Sequence, residues 1–114
     1  MPLKIEHRDV KPGVVLITLT GKVMLGGESA QIETLVQQLL REERPHFLFD
    51  LSGVTHIDST GIGRFISSLN KIRQEGGSLR MVAAAGQVRD SFRVTRLDTV
   101  FKFYSNVEEA LETL

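Results

Sequence analysis

The feature of this sequence that most limits its fold is a change of hydrophobic period between residues 46 and 72. Residues 46–51 (HFLFDL) form a short, nearly continuous apolar run between Pro45 and Ser52-Gly53, which is typical of a strand covered on both faces. The apolar residues that follow recur at the spacing of one helical face: Ile62, Phe65, Ile66, Leu69 and Ile72. A buried strand followed so closely by an amphipathic helix predicts an α/β domain with parallel strands.

The rest of the chain continues this alternation of strands and helices. Strands are predicted at residues 3–8, 14–20, 46–51, 79–83 and 101–104, from their apolar and β-branched runs. Helices are predicted around the apolar stripe of residues 32–40, from Ser59 to Gly76-Gly77, at 87–93, and from Asn106 onward. The last helix carries four apolar residues that are expected to be buried: Val107, Ala110, Leu111 and Leu114.

These elements occur in the order ββαβαβαβα. The turn Lys11-Pro12-Gly13 predicts an antiparallel hairpin of the first two strands, and Gly21 is expected to end the second. Later strands, each joined to the next through a helix, are expected to be parallel. The predicted fold is α/β: one domain over residues 1–114, with a mixed, mostly parallel sheet, an N-terminal hairpin and about four helices.

Composition excludes several classes of protein. The chain has 114 residues and no cysteine, and its 14 Lys plus Arg equal its 14 Asp plus Glu, so no net field attracts nucleic acid or anionic lipid. Its longest apolar runs, VVLI and MVAAA, are far shorter than the roughly 18 to 20 residues that span a bilayer. We expect a cytoplasmic protein without membrane insertion or direct contact with nucleic acid.

The candidate site is the strand-helix junction, residues 58–63 (DSTGIG), at the end of the segment THI. Ligand sites of open α/β sheets lie outside the carboxyl ends of the strands. Asp58 or Ser59 could cap the helix by accepting backbone hydrogen bonds, and Gly61 and Gly63 would permit a tight turn. A cap needs only one short polar side chain, whereas Asp58, Ser59 and Thr60 present three in a row. The junction therefore predicts a surface function as well as a cap.

Two enzymatic interpretations of the junction fail on its residues. Gly61 and Gly63 begin the G-x-G-x-x-G pattern of dinucleotide-binding loops, but Ile66 takes the place of the third glycine. Arg80 stands near the position where such proteins have an acid that binds the ribose. His56, Asp58 and Ser59 offer the residue types of a nucleophilic triad. Ser59, however, begins a helix, and no G-x-S-x-G elbow accompanies it.

A protease loop and a metal centre are also disfavoured. The sequence IDSTG has one residue too many between its acid and its glycine for the Asp-Thr/Ser-Gly loop of aspartic proteases. His7, His46 and His56 lack the spacing of metal ligands. No catalytic residue, metal site or cofactor is predicted, and we expect a binding protein that is not an enzyme.

A second candidate surface is basic. Arg89, Arg93 and Arg96 are four and three residues apart and could form a stripe on the short third helix. Asp90 and Asp98 dilute its charge. The stripe is either a solvated helix face with local ion pairs or a surface for a partner.

Several segments together resemble a known family. They are LTGKV, HFLFDLSGVTHIDSTGIGRFISSLNKIRQEGGSLRMV, VTRLDTVF and VEEAL, which cover nearly the whole chain in this order. The chain resembles STAS domains, and specifically the bacterial anti-sigma factor antagonists. The resemblance implies that the serine after the motif aspartate, Ser59, is phosphorylated by a partner that is both an anti-sigma factor and an ATP-dependent serine kinase. Thr60 is the less favoured acceptor.

The resemblance also implies how the phosphate would act. The unphosphorylated protein would bind the anti-sigma factor and release a sigma factor, and phosphorylation would end that binding. The partner would hold ATP-Mg, and a separate phosphatase would remove the phosphate. The implied partner-binding residues lie in the junction and one loop: Asp58, Ser59, Thr60, Gly61, Gly63, Arg64 and Met24.

Met24 departs from the family pattern, because many relatives carry an aspartate at this position. The partner or the phosphorylation of this chain could differ accordingly. The alternative is a STAS scaffold that is not phosphorylated, or a subunit of a signalling or transport complex, with or without a small ligand. In either case we expect a monomer or weak dimer. Because phosphoserine would meet favourable helix amides and the unfavourable charge of Asp58, we expect phosphorylation to leave the fold intact.

Overall fold

The computed structural model describes residues 2–114, and these form one five-stranded sheet with helices on both faces. The strands are β1 (Lys4–Lys11), β2 (Val14–Val23), β3 (His46–Ile57), β4 (Ser78–Val82) and β5 (Lys102–Tyr104). The helices are α1 (Gly27–Arg41), α2 (Ser59–Gln74), α3 (Gly86–Val94) and α4 (Val107–Leu111), with a short 3-10 turn at Leu97–Thr99. The predicted fold class and order of elements are confirmed.

The strands are arranged in the order β1-β2-β3-β4-β5, with β3 at the centre. β1 pairs antiparallel with β2, as expected for a hairpin, and all other pairs are parallel. The alternation of Phe47 and Phe49 with Leu48 puts large apolar side chains on both faces of β3, and all three are fully buried. The parallel pairs bring the carboxyl ends of β3 and β4 to one edge of the sheet, where α2 and α3 begin.

The two faces of the sheet are covered unequally. α1, α2 and α3 pack on one face and form the larger core. The other face has a small apolar cluster covered by α4, where Ala110 is fully buried and Val107 and Leu111 are partly buried. Leu114, which was expected to be buried with them, is 38% exposed because the helix ends at Leu111.

Aromatic side chains join the helices of the larger core to the sheet. Phe65 of α2 lies edge-on to Phe49 of β3, with ring centroids 5.3 Å apart, and 6.1 Å from Phe92 of α3. Phe92 in turn contacts Phe101 and Phe103 at 5.5 and 5.3 Å. Each such pair contributes about 0.5–1.5 kcal/mol beyond simple burial. The row fixes α2 and α3 relative to each other, and with them the junction.

Three strands extend past their predicted ends, β1 to Lys11, β2 to Val23 and β3 to Ile57. β2 does not end at Gly21 but continues to Val23, with a shift of register between Gly21 and Lys22. Gly21 has a φ of 114° and lies so close to the start of the chain that a Cβ would be 2.9 Å from the Pro2 carbonyl oxygen. β3 likewise continues past Ser52-Gly53 to Ile57, because its second half remains paired with β2.

Candidate functional site at the strand-helix junction

Asp58 is the N-cap of α2 and also fixes the neighbouring loop. Its Oδ1 accepts a hydrogen bond from the Gly61 amide at 2.8 Å, and its Oδ2 accepts one from the Leu25 amide at 2.9 Å. Burial raises the pKa of Asp58, but hydrogen bonds from the backbone amides of Gly61, Leu25 and Thr60 outweigh it and lower the pKa below its usual value. The carboxylate is therefore ionised at neutral pH and engaged with backbone on two segments.

The two junction glycines have different roles. A Cβ on Gly61 would overlap the Val23 carbonyl oxygen and lie 2.9 Å from Ile57 Cγ1, so only glycine allows α2 to begin this close to β2. A Cβ on Gly63 would meet nothing within 4 Å. Gly63 is exposed, and its position does not require glycine for packing.

Ser59, the first residue of α2, is exposed, and Thr60 beside it is half-buried. Because the carboxylate of Asp58 already accepts hydrogen bonds from the first amides of α2, the Ser59 hydroxyl is not needed as the cap. The sequence left the cap open between Asp58 and Ser59, and the structure assigns it to Asp58. The Ser59 side chain is consequently free of a structural duty and accessible to another protein.

Two exposed apolar residues lie on the α1 side of Ser59. They are Met24, 38% exposed, and Leu25, 81% exposed, in the loop between β2 and α1. The hydrogen bond from the Leu25 amide to Asp58 holds this loop against the start of α2. The position where the family pattern has an acid therefore presents an apolar side chain beside the candidate phosphorylation site.

A groove lies on the other side of Ser59, between the starts of α2 and α3. Its volume is about 540 Å³. The buried side chains of Ile57 and Ile62 contribute to its lining, together with polar groups that include Asp58, Ser59 and Asp90. Val94 of α3, 81% exposed, also lines it. We call this feature the α2-α3 groove.

Gln87 completes the sheet beside the groove. β4 ends at Val82, so the last residues of β3 have no neighbouring strand on that side. The Gln87 side-chain amide makes the hydrogen bonds that a neighbouring strand would make. Its Oε1 accepts from the Ile57 amide at 3.0 Å, and its Nε2 donates to the Ile57 carbonyl at 3.1 Å. The sequence analysis did not identify this residue, and no local pattern marks a glutamine that contacts a strand thirty positions earlier.

Arg64 was predicted to bind a partner, and the structure places it in contacts between α2 and the start of α1. Its Nη1 lies 3.4 Å from Glu33 Oε1, and its Nε donates to Ser29 Oγ at 3.2 Å. Both side chains of the ion pair are 26% exposed. These contacts join α1 to α2, and a role for Arg64 in partner binding remains a prediction.

The predicted basic stripe does not form. Arg96 lies beyond the end of α3, in a left-handed conformation with φ 60°. Arg93 is paired with Asp90, and Arg89 lies with its guanidinium carbon 3.9 Å from the centroid of the Phe103 ring. Arg96 leaves the helical face because α3 ends at Val94, and the two arginines on α3 are separated by their contacts with Phe103 and Asp90.

The structure brings together no enzymatic constellation at the junction. His56 is exposed, and its Nδ1 lies 3.0 Å from the hydroxyl of its neighbour Thr55. Among residues 2–114, no three side chains of the metal-binding types are grouped to hold an ion. Within the same residues, no helix is both long enough and apolar enough to cross a bilayer.

The fold and junction define a class of domain: a mixed five-stranded sheet in which an aspartate-capped helix exposes a serine at the carboxyl end of the central strand. The family model for the STAS domain matches residues 7–110. The chain belongs to the STAS domain family, which confirms the resemblance in the sequence.

Named relatives and solved structures agree with this assignment. A segment of 62 residues is 34% identical to a candidate anti-sigma factor antagonist of Thermotoga maritima, and a segment of 65 residues is 34% identical to its homolog in Thermotoga neapolitana. These segments cover 54% and 57% of this chain, and 55% and 58% of the relatives' lengths.

Three solved structures of two proteins share the fold over most of the chain. An anti-sigma factor antagonist from Mycobacterium paratuberculosis superposes with a TM-score of 0.81 at 22% identity, covering 97% of this chain and 92% of its own. The anti-sigma factor antagonist SpoIIAA, in its unphosphorylated form, superposes with a TM-score of 0.75 at 14% identity and 96% coverage of both chains. SpoIIAA of Bacillus has also been solved in its phosphorylated form, with a TM-score of 0.75, 16% identity and coverage of 96% and 98%.

Proposed function

We propose that this chain is an anti-sigma factor antagonist that is switched off by phosphorylation of Ser59. Unphosphorylated, it binds an anti-sigma factor in the cytoplasm and thereby releases a sigma factor. The partner is also a serine kinase and supplies ATP-Mg, and a separate phosphatase restores the binding form. The chain itself acts as a binding module, not as an enzyme. The names of the relatives support the role, and the exposure of Ser59 beside a cap that it does not provide supports the switch.

The surface around Ser59 has the composition of a docking face. Exposed Met24 and Leu25 lie on one side and Val94 lies across the α2-α3 groove on the other. Exposed apolar side chains that adjoin one another commonly mark contacts between proteins. A partner that covers both sides would enclose the Ser59 hydroxyl within the interface.

Phosphorylation at this position would oppose such docking. Phosphoserine adds a charge of about −1.5 to −2. Enclosing that charge against apolar side chains and the ionised Asp58 would cost several kcal/mol, and each ~1.4 kcal/mol lowers affinity tenfold. The partner would therefore be released unless it provided a cation for the phosphate.

The fold should tolerate the phosphate. The first amides of α2 are already engaged by Asp58, so the favourable interaction of phosphate with free helix amides, expected from the sequence, is largely unavailable. Repulsion from Asp58 is on the order of 1 to 1.5 kcal/mol at about 6 Å in water. Residues 58 and 59 are also adjacent in the unfolded chain, so much of this repulsion cancels in the free energy of unfolding. We expect the melting temperature to change by a few degrees at most.

The test is phosphorylation by the anti-sigma factor kinases of the source organism. The purified protein is incubated with ATP-Mg and each kinase, and the phosphate is located by intact mass and peptide mapping. Ser59→Ala should remove the phosphate, whereas the matched control Thr60→Val should retain it. Calorimetry should show at least a tenfold loss of affinity for the same kinase after phosphorylation.

Two other outcomes would contradict parts of the proposal. Tight binding to an anti-sigma factor without phosphate transfer would make the chain a constitutive STAS scaffold and leave Ser59 as a surface residue. Absence of binding to every anti-sigma factor would reject the antagonist role itself and favour a subunit of another signalling or transport complex. A monomer or weak dimer is expected in each case, which light scattering would check.

A further inference from the structure

A second cavity lies at the carboxyl ends of β4 and β5, and the proposed switch does not use it. Its volume is about 460 Å³. The segment Ala83-Ala84-Ala85 contributes only methyl groups to its lining, and the remaining lining residues are Arg89, Phe103, Tyr104 and Ser105. Three small residues in a row leave this space unfilled at the edge of the sheet where α/β domains bind ligands. We call it the Arg89 cavity.

The charge of the cavity is one-sided. Arg89 is the single ionised group among its lining residues, and the nearby Glu109 carboxylate accepts a hydrogen bond from the Ser105 amide at 3.3 Å. The hydroxyl-bearing residues Tyr104 and Ser105 add hydrogen-bond donors. The lining therefore combines a guanidinium with neutral donors, which suits an oxyanion.

Arg89 is held in place yet incompletely satisfied. Its guanidinium lies 3.9 Å from the centroid of the Phe103 ring, a stacking contact that restricts its movement. Its Nη1 is buried and makes no hydrogen bond within residues 2–114. Buried polar atoms without a partner are rare in native proteins, and one in a site usually has a reason outside simple folding.

The start of α3 adds to the same preference. Its N-cap, Ala85, has no side chain that can accept a hydrogen bond, in contrast to the N-caps of α2 and α4. The first amides of α3 therefore have no side-chain acceptor; the N-cap Ala85 lines the Arg89 cavity, whereas Gly86 and Gln87 line the α2-α3 groove. We propose that the Arg89 cavity binds the phosphate or carboxylate group of a small molecule, with Arg89 as its main ligand and Phe103 and the alanines against its apolar part.

The test uses the unphosphorylated chain without any partner, so its outcome is independent of the proposed switch. The protein, labelled with ¹⁵N, is titrated with phenyl phosphate, benzoate and inorganic phosphate at constant ionic strength. We expect saturating shifts confined to the amides of residues 84–89 and 103–105. Phenyl phosphate should bind more tightly than inorganic phosphate, which is expected to have a Kd on the order of 1 mM. The phosphate and carboxylate arms identify which oxyanion is preferred.

Arg93 provides a matched control on the same helix. Arg89→Gln should weaken binding about tenfold or more, because it removes the charge and the planar fork of donors. Arg93→Gln removes the same charge from an exposed position paired with Asp90 and should change the Kd less than about twofold. Arg89→Lys, which keeps the charge, should still lose several-fold in affinity.

Stability separates a ligand-binding role from a structural one. Because Nη1 has no partner, Arg89→Gln should lose only the stacking contact with Phe103 and lower the melting temperature by a few degrees at most in buffer without the probe anions. Phenyl phosphate should raise the melting temperature of the parent protein and of Arg93→Gln, but not that of Arg89→Gln. Unsaturable shifts spread over the surface, or equal losses in the two glutamine variants, would reject the site.

Discussion

The starts of α2 and α3 lie at the same edge of the sheet and differ in how their first amides are satisfied. α2 begins at Asp58, whose carboxylate accepts hydrogen bonds from the first amides and turns Ser59 outward. α3 begins at Ala85, which has no side chain to cap it. The start of α2 therefore already has a carboxylate at its first amides, whereas the start of α3 has no side-chain acceptor. Two helix starts at one edge of the sheet thus differ in whether an anion is already present.

The largest loss of stability is expected on substitution of Gly61, because the position of the start of α2 depends on this glycine. We expect Gly61→Ala to destabilise the protein by about 3 kcal/mol or more, because its Cβ would overlap the Val23 carbonyl oxygen. Gly63→Ala is the matched control in the same helix turn and should be neutral or stabilising by up to about 1 kcal/mol. Urea denaturation measures both. Equal losses in the two variants would contradict the close approach of α2 to β2.

Removal of the cap should have the next largest effect. Asp58→Ala should cost about 2 kcal/mol, since α2 loses its N-cap and the loop loses the Leu25 hydrogen bond. Asp58→Asn, which keeps one carbonyl acceptor, should cost less. If denaturant melts instead showed the alanine variant to be as stable as its parent, the cap would not be the basis of the junction.

The same residue predicts a dependence on pH. Because the pKa of Asp58 is lower in the folded state than in the unfolded chain, its contribution is complete above the unfolded pKa of about 3.9 and is lost as the pH falls through the folded pKa. The stability difference between the parent and Asp58→Ala should therefore be constant near neutral pH and shrink in acid. Denaturation at a series of pH values provides the measurement. A stability difference that grew in acid would mean that folding raises the pKa of Asp58 instead of lowering it.

The difference between the two helix starts can be reduced by giving α3 a side chain that caps its first amides. Ala85 is exposed and has the extended φ and ψ of −146° and 167° that N-caps adopt. Ala85→Asp should stabilise the protein by about 0.5–1 kcal/mol and weaken phenyl phosphate binding at the Arg89 cavity, because its carboxylate would occupy the amides. Ala85→Asn tests the cap with no added charge. Thermal melts measure the gain in stability, and the NMR titration measures the loss of affinity for phenyl phosphate. Together they show whether the start of α3 has acquired a cap like that of α2.

The smallest change in stability is expected on substitution of Ser59. Ser59→Ala should change the free energy of unfolding by less than about 0.5 kcal/mol, because Asp58 and not Ser59 caps the helix. A larger loss would show that Ser59 shares the cap, and its accessibility to a kinase would then require the start of α2 to open. Denaturation of the two proteins under identical conditions makes this comparison.

The sequence predicted the order of elements and the location of the junction because both depend on local patterns. Hydrophobic period distinguishes β3 from α2, and the choice of Asp58 or Ser59 as the cap follows from residues within one turn, whereas the approach of Gly61 to Val23 does not. The missed contacts join segments far apart in the chain. Gln87 with Ile57, Arg64 with Glu33, and Arg89 with Phe103 each depend on how two elements pack. The extension of β3 beyond Gly53 was missed because its pairing with β2, not its own composition, sustains it.

The contact of Gln87 with Ile57 makes the end of the central strand depend on a helix. The Ile57 amide donates to a side chain of α3 instead of to a strand, so its protection against hydrogen exchange lasts only while α3 remains docked. Displacement of α3 by a partner in the α2-α3 groove would therefore speed hydrogen exchange at this one amide. The exchange rate of the Ile57 amide thus reports whether α3 remains docked against the end of β3.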